Sequence, residues 1–162
     1  MIFVTTGTNE QGFDRLVAAA RELPGDEELL VQYGSSTELH GRGRWEAFLS
    51  WEEMTAAMTQ ARVVVAHAGV GSILLAHRCG RRPVVMPRRV ALGEAVDDHQ
   101  LELAQRLHAR GEVTLALDGD ALARAVAVAP SMLAGTGSGP ATGPLVAELR
   151  CTLQRLTAGV PA

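Results

Sequence analysis

The chain has 162 residues, 47% of them hydrophobic, with a formal net charge of −3 and a pI near 5.9. That length suffices for one compact domain with a core, and no apolar run approaches the roughly 20 residues a membrane-spanning helix needs. The charge balance is too acidic for broad nucleic-acid binding.

The start, Met1-Ile2-Phe3-Val4-Thr5-Thr6-Gly7, has neither a basic n-region nor a long apolar h-region. It reads as a first strand rather than a signal peptide. Without an export signal, Cys79 and Cys151 are expected to be reduced thiols. No CxxC or HxxxH pair supports a metal site built from Cys79 and His77.

After the strand over residues 2–5 comes a polar loop with Gly7 and Gly12. Phe13, Leu16, Val17, Ala20 and Leu23 then recur at helical spacing, predicting a helix over 13–23 that Pro24-Gly25 stops. A second strand is expected over 29–33 and a third over 45–49. Ser50-Trp51-Glu52-Glu53 has capping-box spacing, and Met54, Ala57, Met58 and Ala61 give the following helix a buried face.

Residues 63–66 form an apolar central strand that runs into His67-Ala68-Gly69-Val70-Gly71-Ser72 and a helix over 71–79, with Gly80 as its C-cap. A strand over 83–86 leads into the loop Pro87-Arg88-Arg89-Val90-Ala91-Leu92-Gly93-Glu94. Asp97 and Asp98 are expected to cap a long helix ended by Gly111, a strand follows over 113–117, and Asp118 opens a last Ala/Val helix before Pro130. The domain is thus expected to occupy 1–130. Residues 131–143, rich in Gly, Pro, Ser and Thr, read as a linker, and 144–158, with Leu145, Leu149, Leu153 and Leu156, as an amphipathic helix. That helix could pack on its own sheet or on a partner.

Apolar strands alternating with helices are the pattern of a parallel, Rossmann-like α/β sheet covered on both faces. Ligands of such sheets sit at the carboxyl ends of the strands. There lie the loops that begin at Thr6, Gly34, His67 and Pro87. The loop at Gly69 opens a helix, whose free N–H groups and partial positive charge suit a phosphate. Gly69 and Gly71 would let backbone approach it. His67 could hold the loop by hydrogen bonds or donate to a phosphate or sugar oxygen. Arg88 and Arg89 could clamp a diphosphate or stand solvated. Glu94 could hold a sugar hydroxyl or pair with either arginine. His99 and Gln100 fall in a first helical turn, where a Gln amide suits vicinal hydroxyls. No GxSxG elbow, P-loop or full GxGxxG is present.

Taken in order, Phe3-Val4-Thr5-Thr6-Gly7-Thr8, Phe13-Asp14-Arg15-Leu16, His67-Ala68-Gly69-Val70-Gly71-Ser72, Pro87-Arg88-Arg89, Leu92-Gly93-Glu94 and Asp98-His99-Gln100 resemble the small subunit of two-component GT-B glycosyltransferases. Relatives act in the dolichol-linked N-glycan pathway and in bacterial exopolysaccharide synthesis, and the Pro-Arg-Arg, Gly-Glu, His-Gln form is closer to the bacterial ones. The same domain forms the C-terminal half of the peptidoglycan N-acetylglucosaminyltransferase. The resemblance covers roughly residues 1–117.

The resemblance implies a donor-binding subunit that takes a UDP-sugar as substrate and needs no cofactor or active-site metal. A membrane-anchored partner subunit would bind a polyprenyl-diphosphate-linked acceptor and hold the heterodimer at the cytoplasmic membrane. Gly7, Thr8, Gly69, Val70, Gly71 and Ser72 would seat the diphosphate together with Arg88. The backbone around Leu49 would meet the uracil, and His99 and Gln100, with Glu94, the sugar. Two departures stand out. Where relatives often carry a ribose-binding Glu, three residues after the loop Ser or Thr, this chain has Leu75. It also offers no obvious general base beyond His67, so the base comes from the partner or catalysis is absent. A non-catalytic nucleotide-sugar-binding or scaffold subunit is therefore the alternative, and an isolated NAD- or mononucleotide-binding fold a weaker third.

Overall fold

The computed structural model describes residues 1–37 and 41–129. Six strands appear among them: β1 (Ile2–Thr5), β2 (Leu29–Gln32), β3 (Arg44–Glu46), β4 (Val63–His67), β5 (Val84–Met86) and β6 (Thr114–Leu115). They alternate with helices α1 (Asp14–Arg21), α2 (Trp51–Gln60), α3 (Val70–Arg78), α4 (His99–Ala109) and α5 (Gly119–Val128). The strands form one sheet in the order β3-β2-β1-β4-β5-β6, every neighbouring pair parallel. This is the Rossmann-like α/β sheet that the sequence predicts. The expected linker over 131–143 and helix over 144–158 lie outside the described residues.

Strand side chains alternate between two covered faces. Ile2 and Val4 pack with Leu16 and Ala20 of α1 and Leu122 and Val126 of α5. Phe3 and Val64 face the other way, onto Met58 of α2 and Leu75 and Ala76 of α3. Val85 meets Ile73 of α3 and Ala104 and Leu107 of α4. With both faces buried, the strands read as unbroken apolar runs. Each such side chain withdrawn from water stabilises the fold by about 1.5–3 kcal/mol before entropy is counted. Among the described residues no helix is long and apolar enough to cross a membrane.

Several boundaries differ from the periodicity, each for a local reason. Helix α1 starts at Asp14, because the Phe13 N–H is held by Ser36 Oγ at 2.7 Å in a non-helical conformation. Strand β3 stops at Glu46, and the chain turns so that half-buried Leu49 packs against the α2 cluster while Phe48 stays 56% exposed. The capping box of α2 is formed: Ser50 Oγ accepts from the Glu53 N–H at 3.2 Å, and the Ser50 N–H donates to Glu53 Oε2 at 2.8 Å. Cys79 is the C-cap of α3, and Gly80 follows it at φ +69°, a left-handed conformation that glycine adopts without strain. Asp118 caps α5 through the Ala121 N–H at 2.7 Å. Asp98 does not cap α4 with its side chain; its carboxylate reaches back to the Val90 N–H at 3.0 Å, and Asp97 accepts from the His99 N–H at 3.1 Å.

Candidate functional site

The strand order reverses between β1 and β4, with β2 beside β1 on one side and β5 beside β4 on the other. Helix α1 leaves β1 to cover one face and α3 leaves β4 to cover the other. The two outgoing loops therefore diverge and leave a crevice at the carboxyl ends of the strands, the usual ligand position in an open α/β sheet.

The wall on the β1 side is built on a buried amide. Gln32 is fully buried, accepts a hydrogen bond from the Thr5 hydroxyl, and donates from Nε2 to the carbonyls of Gly7 at 3.0 Å and Ala47 at 3.1 Å. It ties the ends of β1 and β2 to the loop after β3. The Gly7 N–H donates to Thr5 Oγ1 at 3.1 Å, which bends Gly7 to φ +80° and leaves Thr8 exposed at the loop tip.

The wall on the β4 side is the N-terminus of α3. Gly69 is its N-cap and makes no side-chain cap, so the N–H groups of Val70, Gly71 and Ser72 have no acceptor one turn earlier. A Cβ placed on Gly71 would meet nothing within 4 Å, and its φ is not left-handed. The fold itself gives no reason for glycine there.

Between the two walls stands the His67 ring. A Cβ on Gly7 would lie 2.4 Å from its Cε1, and one on Gly69 would lie 2.1 Å from its Nε2. Nδ1 is buried and has no hydrogen-bond partner among the described residues. Burial pushes the His67 pKa down to about 4, Arg88's charge adds to the shift, and the neighbouring Thr5 backbone opposes it. The ring is therefore neutral at physiological pH.

The loop after β5 closes the third side. Arg88 is only 2% exposed; it donates to the carbonyls of Gly12 at 2.6 Å and Thr6 at 3.5 Å, with its guanidinium 4.7 Å from the centre of the Phe13 ring. It supports the β1 loop from beneath rather than reaching into the crevice as a clamp. Its Nε has no partner among the described residues, burial pushes its pKa down, and Glu94's charge opposes that. A buried cation under a glycine loop and a helix N-terminus make the crevice favourable to an anion.

Glu94 does not present a free carboxylate to a sugar and does not pair with the side chain of Arg88 or Arg89. Its Oε1 accepts from Arg15 Nε at 2.7 Å, and its Oε2 accepts from an Arg15 terminal nitrogen at 2.9 Å and from the Arg89 N–H at 3.1 Å. Arg15 also donates to the carbonyls of Leu117 at 2.8 Å and Pro87 at 2.7 Å. This pins the β5 loop to α1, helped by Gln11 Nε2 donating to the Gly93 carbonyl at 2.8 Å.

Gln100 is half-buried and its Oε1 accepts from the Arg88 N–H at 3.2 Å. His99 is largely exposed and sits 3.0 Å from Asp97. Leu75 packs with Phe3, Met58 and Val64 and puts no hydrogen-bonding group in the crevice. Among the described residues no three His, Cys, Asp or Glu side chains gather to hold a metal ion.

Residues 1–129 match the model of the glycosyltransferase family 28 C-terminal domain. The chain belongs to that family. It is 31% identical over 105 residues to the UDP-N-acetylglucosamine transferase subunit ALG13 of Yarrowia lipolytica, covering 60% of this chain and 52% of the relative. The mouse protein of the same name is 32% identical over 124 residues, covering 68% of this chain and 10% of its own length. The chain thus spans about half of one curated relative and a tenth of the other.

Three solved glycosyltransferases share the fold. CalG4, the calicheamicin glycosyltransferase, superposes with a TM-score of 0.61 at 16% identity, over 98% of this chain and 38% of its own. The glycosyltransferase of kitacinnamycin gives 0.55 at 22%, over 95% and 38%, and SnogD from Streptomyces nogalater 0.54 at 18%, over 99% and 40%. The fold described here corresponds to 38–40% of each of these glycosyltransferases.

The sequence did not single out Gln32, and it marked Phe13 and Arg15 only as part of a resembling motif, without a role in this site's frame. A glutamine that ends an apolar strand was the one available signal for Gln32. Phe48, one residue before Leu49, is an exposed aromatic beside this site with no spacing signal of its own in the sequence.

Proposed function

We propose that the chain is the donor-binding subunit of an inverting glycosyltransferase. It binds a UDP-sugar in the crevice between β1 and β4 and acts with a membrane-anchored partner that presents a polyprenyl-diphosphate-linked acceptor, as in exopolysaccharide synthesis. The observation that carries the reading is Gly71: an exposed glycine in the first turn of α3 that no packing or backbone angle requires, beside N–H groups without intrahelical acceptors. Membership of family 28 and similarity to UDP-N-acetylglucosamine transferase subunits support it and make UDP-N-acetylglucosamine the first donor to test.

In this reading the N–H groups of α3 and the Gly7 and Thr8 loop hold the diphosphate, with Arg88 supplying positive charge from below. No metal is assigned to the seat, since helix and arginine already provide its charge. Gln100 and His99 meet the sugar. The backbone near Leu49 meets the uracil, and Phe48 offers a ring face to it. The acceptor hydroxyl attacks the anomeric carbon from the side opposite UDP. As that bond forms, the bond to the β-phosphate oxygen breaks and its electron pair stays on UDP, where the seat stabilises the developing charge. His67 is wedged between glycines with its pKa pushed down to about 4, which makes it a weak base; in this reading the acceptor's proton leaves to a group on the partner. The complex sits at the cytoplasmic face of the membrane through that partner.

Leu75 in the core and Glu94 bound to Arg15 favour a second reading, a nucleotide-sugar-binding scaffold without catalysis. Co-purified with a membrane-anchored partner subunit and given UDP-N-acetylglucosamine with a polyprenyl-diphosphate acceptor, the complex should transfer sugar and invert the anomeric centre. Donor binding without transfer would select the scaffold.

A further inference from the structure

The glycines that flank the crevice do not all serve the same purpose. Gly7 and Gly69 lie on different loops, yet a Cβ on either would strike the same ring, that of His67. Gly71, two residues further on, faces open space. The ring is an internal spacer between the β1 loop and the start of α3, held from β4, the strand from which α3 departs.

Resting on the donor-site reading, we propose that His67 is a positioning residue: its imidazole sets the width of the diphosphate seat, Gly7 and Gly69 are glycine to admit that ring, and Gly71 alone is glycine to admit the ligand. A smaller side chain at position 67 lets the loops close on each other, and a larger one at 69 drives them apart. Either change misplaces the N–H groups that converge on the diphosphate while leaving the uracil site near Leu49 intact.

Position 69 allows a clean test, because its backbone, at φ −79° and ψ 134°, suits alanine. Gly7 does not, since its φ of +80° penalises any side chain. Wild type, Gly69→Ala, His67→Ala and the double variant are compared by thermal unfolding and by titration with UDP and with uridine. Gly69→Ala should lower the melting temperature in the wild-type background and leave it unchanged in the His67→Ala background. His67→Ala should weaken UDP by about tenfold, equal to 1.4 kcal/mol, with uridine affinity unchanged.

Equal melting losses from Gly69→Ala in both backgrounds would overturn the spacer, as would unaltered UDP affinity in His67→Ala. A parallel loss of UDP and uridine would make His67 a general structural residue and overturn it too. Melting coupling retained in a wild-type chain that binds no UDP would instead overturn the donor-site reading and support the spacer.

Discussion

Replacing Gly71 by alanine should make the protein more stable and a poorer ligand binder at once. Gly71 is the second residue of α3 and exposed, and the added Cβ meets nothing within 4 Å. In a helix interior the exchange is worth about 0.8–1 kcal/mol, of which a first-turn position should realise about half. For a domain of this size that is an upward melting shift of about 1–3 °C. Binding should move the other way. The methyl stands where phosphate oxygens would approach the free N–H groups of α3, and losing one charge-assisted hydrogen bond costs about 1.5–3 kcal/mol, roughly a tenfold to hundredfold weaker UDP affinity. Differential scanning calorimetry and isothermal titration on the same preparation read both. A lower melting temperature would show that the fold does need glycine at this position. Unchanged UDP affinity would show that no ligand approaches it, and either result refutes the assignment of Gly71 as the ligand's glycine.

Three further outcomes follow from the same contacts. His67 has a folded-state pKa of about 4 against the ordinary 6.5, so the unfolded chain binds its proton first as pH falls. The stability it contributes is present above about pH 6.5 and is lost progressively towards pH 4, by at most about 3 kcal/mol given its partial exposure. His77, also pushed down by burial, acts in the same direction, so His67→Ala should flatten the acid branch of a urea-midpoint profile without abolishing it. A profile unchanged by that substitution would show that His67 titrates normally. Arg15→Met leaves the Glu94 carboxylate with the Arg89 N–H alone and frees the carbonyls of Pro87 and Leu117; it should cost about 2–3 kcal/mol in chemical denaturation. A loss below about 0.5 kcal/mol would place the pair among the weak surface ion pairs. Gln100→Ala should reduce discrimination between UDP-sugars more than affinity for UDP itself, and equal losses for UDP and UDP-sugar would remove Gln100 from the sugar site.

The sheet was legible because its signals are local. Residues 63–66 form an apolar run that ends in His67-Ala68-Gly69, and the Ser50 and Glu53 spacing of a capping box needs only one helical turn to be recognised. The positions of the loops at the carboxyl ends followed from strand and helix alternation alone. Side-chain assignments within those loops were harder, because their partners are set by topology. Glu94 finds Arg15 across 79 residues, and Arg88 reaches Gly12 across 76. No periodicity connects such positions, so a carboxylate suited to a sugar hydroxyl was indistinguishable from one that pins a loop. Asp98 illustrates the same limit at short range: its spacing fits an N-cap, yet the turn at Val90 offers its carboxylate a different N–H. The glycines of the two crevice loops, Gly7, Gly69 and Gly71, looked alike as letters. Only the ring of His67, placed between β1 and α3, separates the two that make room for protein from the one that does not.

The central claim is that the crevice between β1 and β4 seats the diphosphate of a UDP-sugar. Titrating UDP-N-acetylglucosamine into the 162-residue chain, with Gly71→Val alongside, tests it most directly. The account predicts saturable binding by the wild type that UDP competes away, and none by Gly71→Val with its fold intact by circular dichroism. Absence of binding by the wild type at millimolar UDP and UDP-N-acetylglucosamine, or undiminished binding by Gly71→Val, would contradict it.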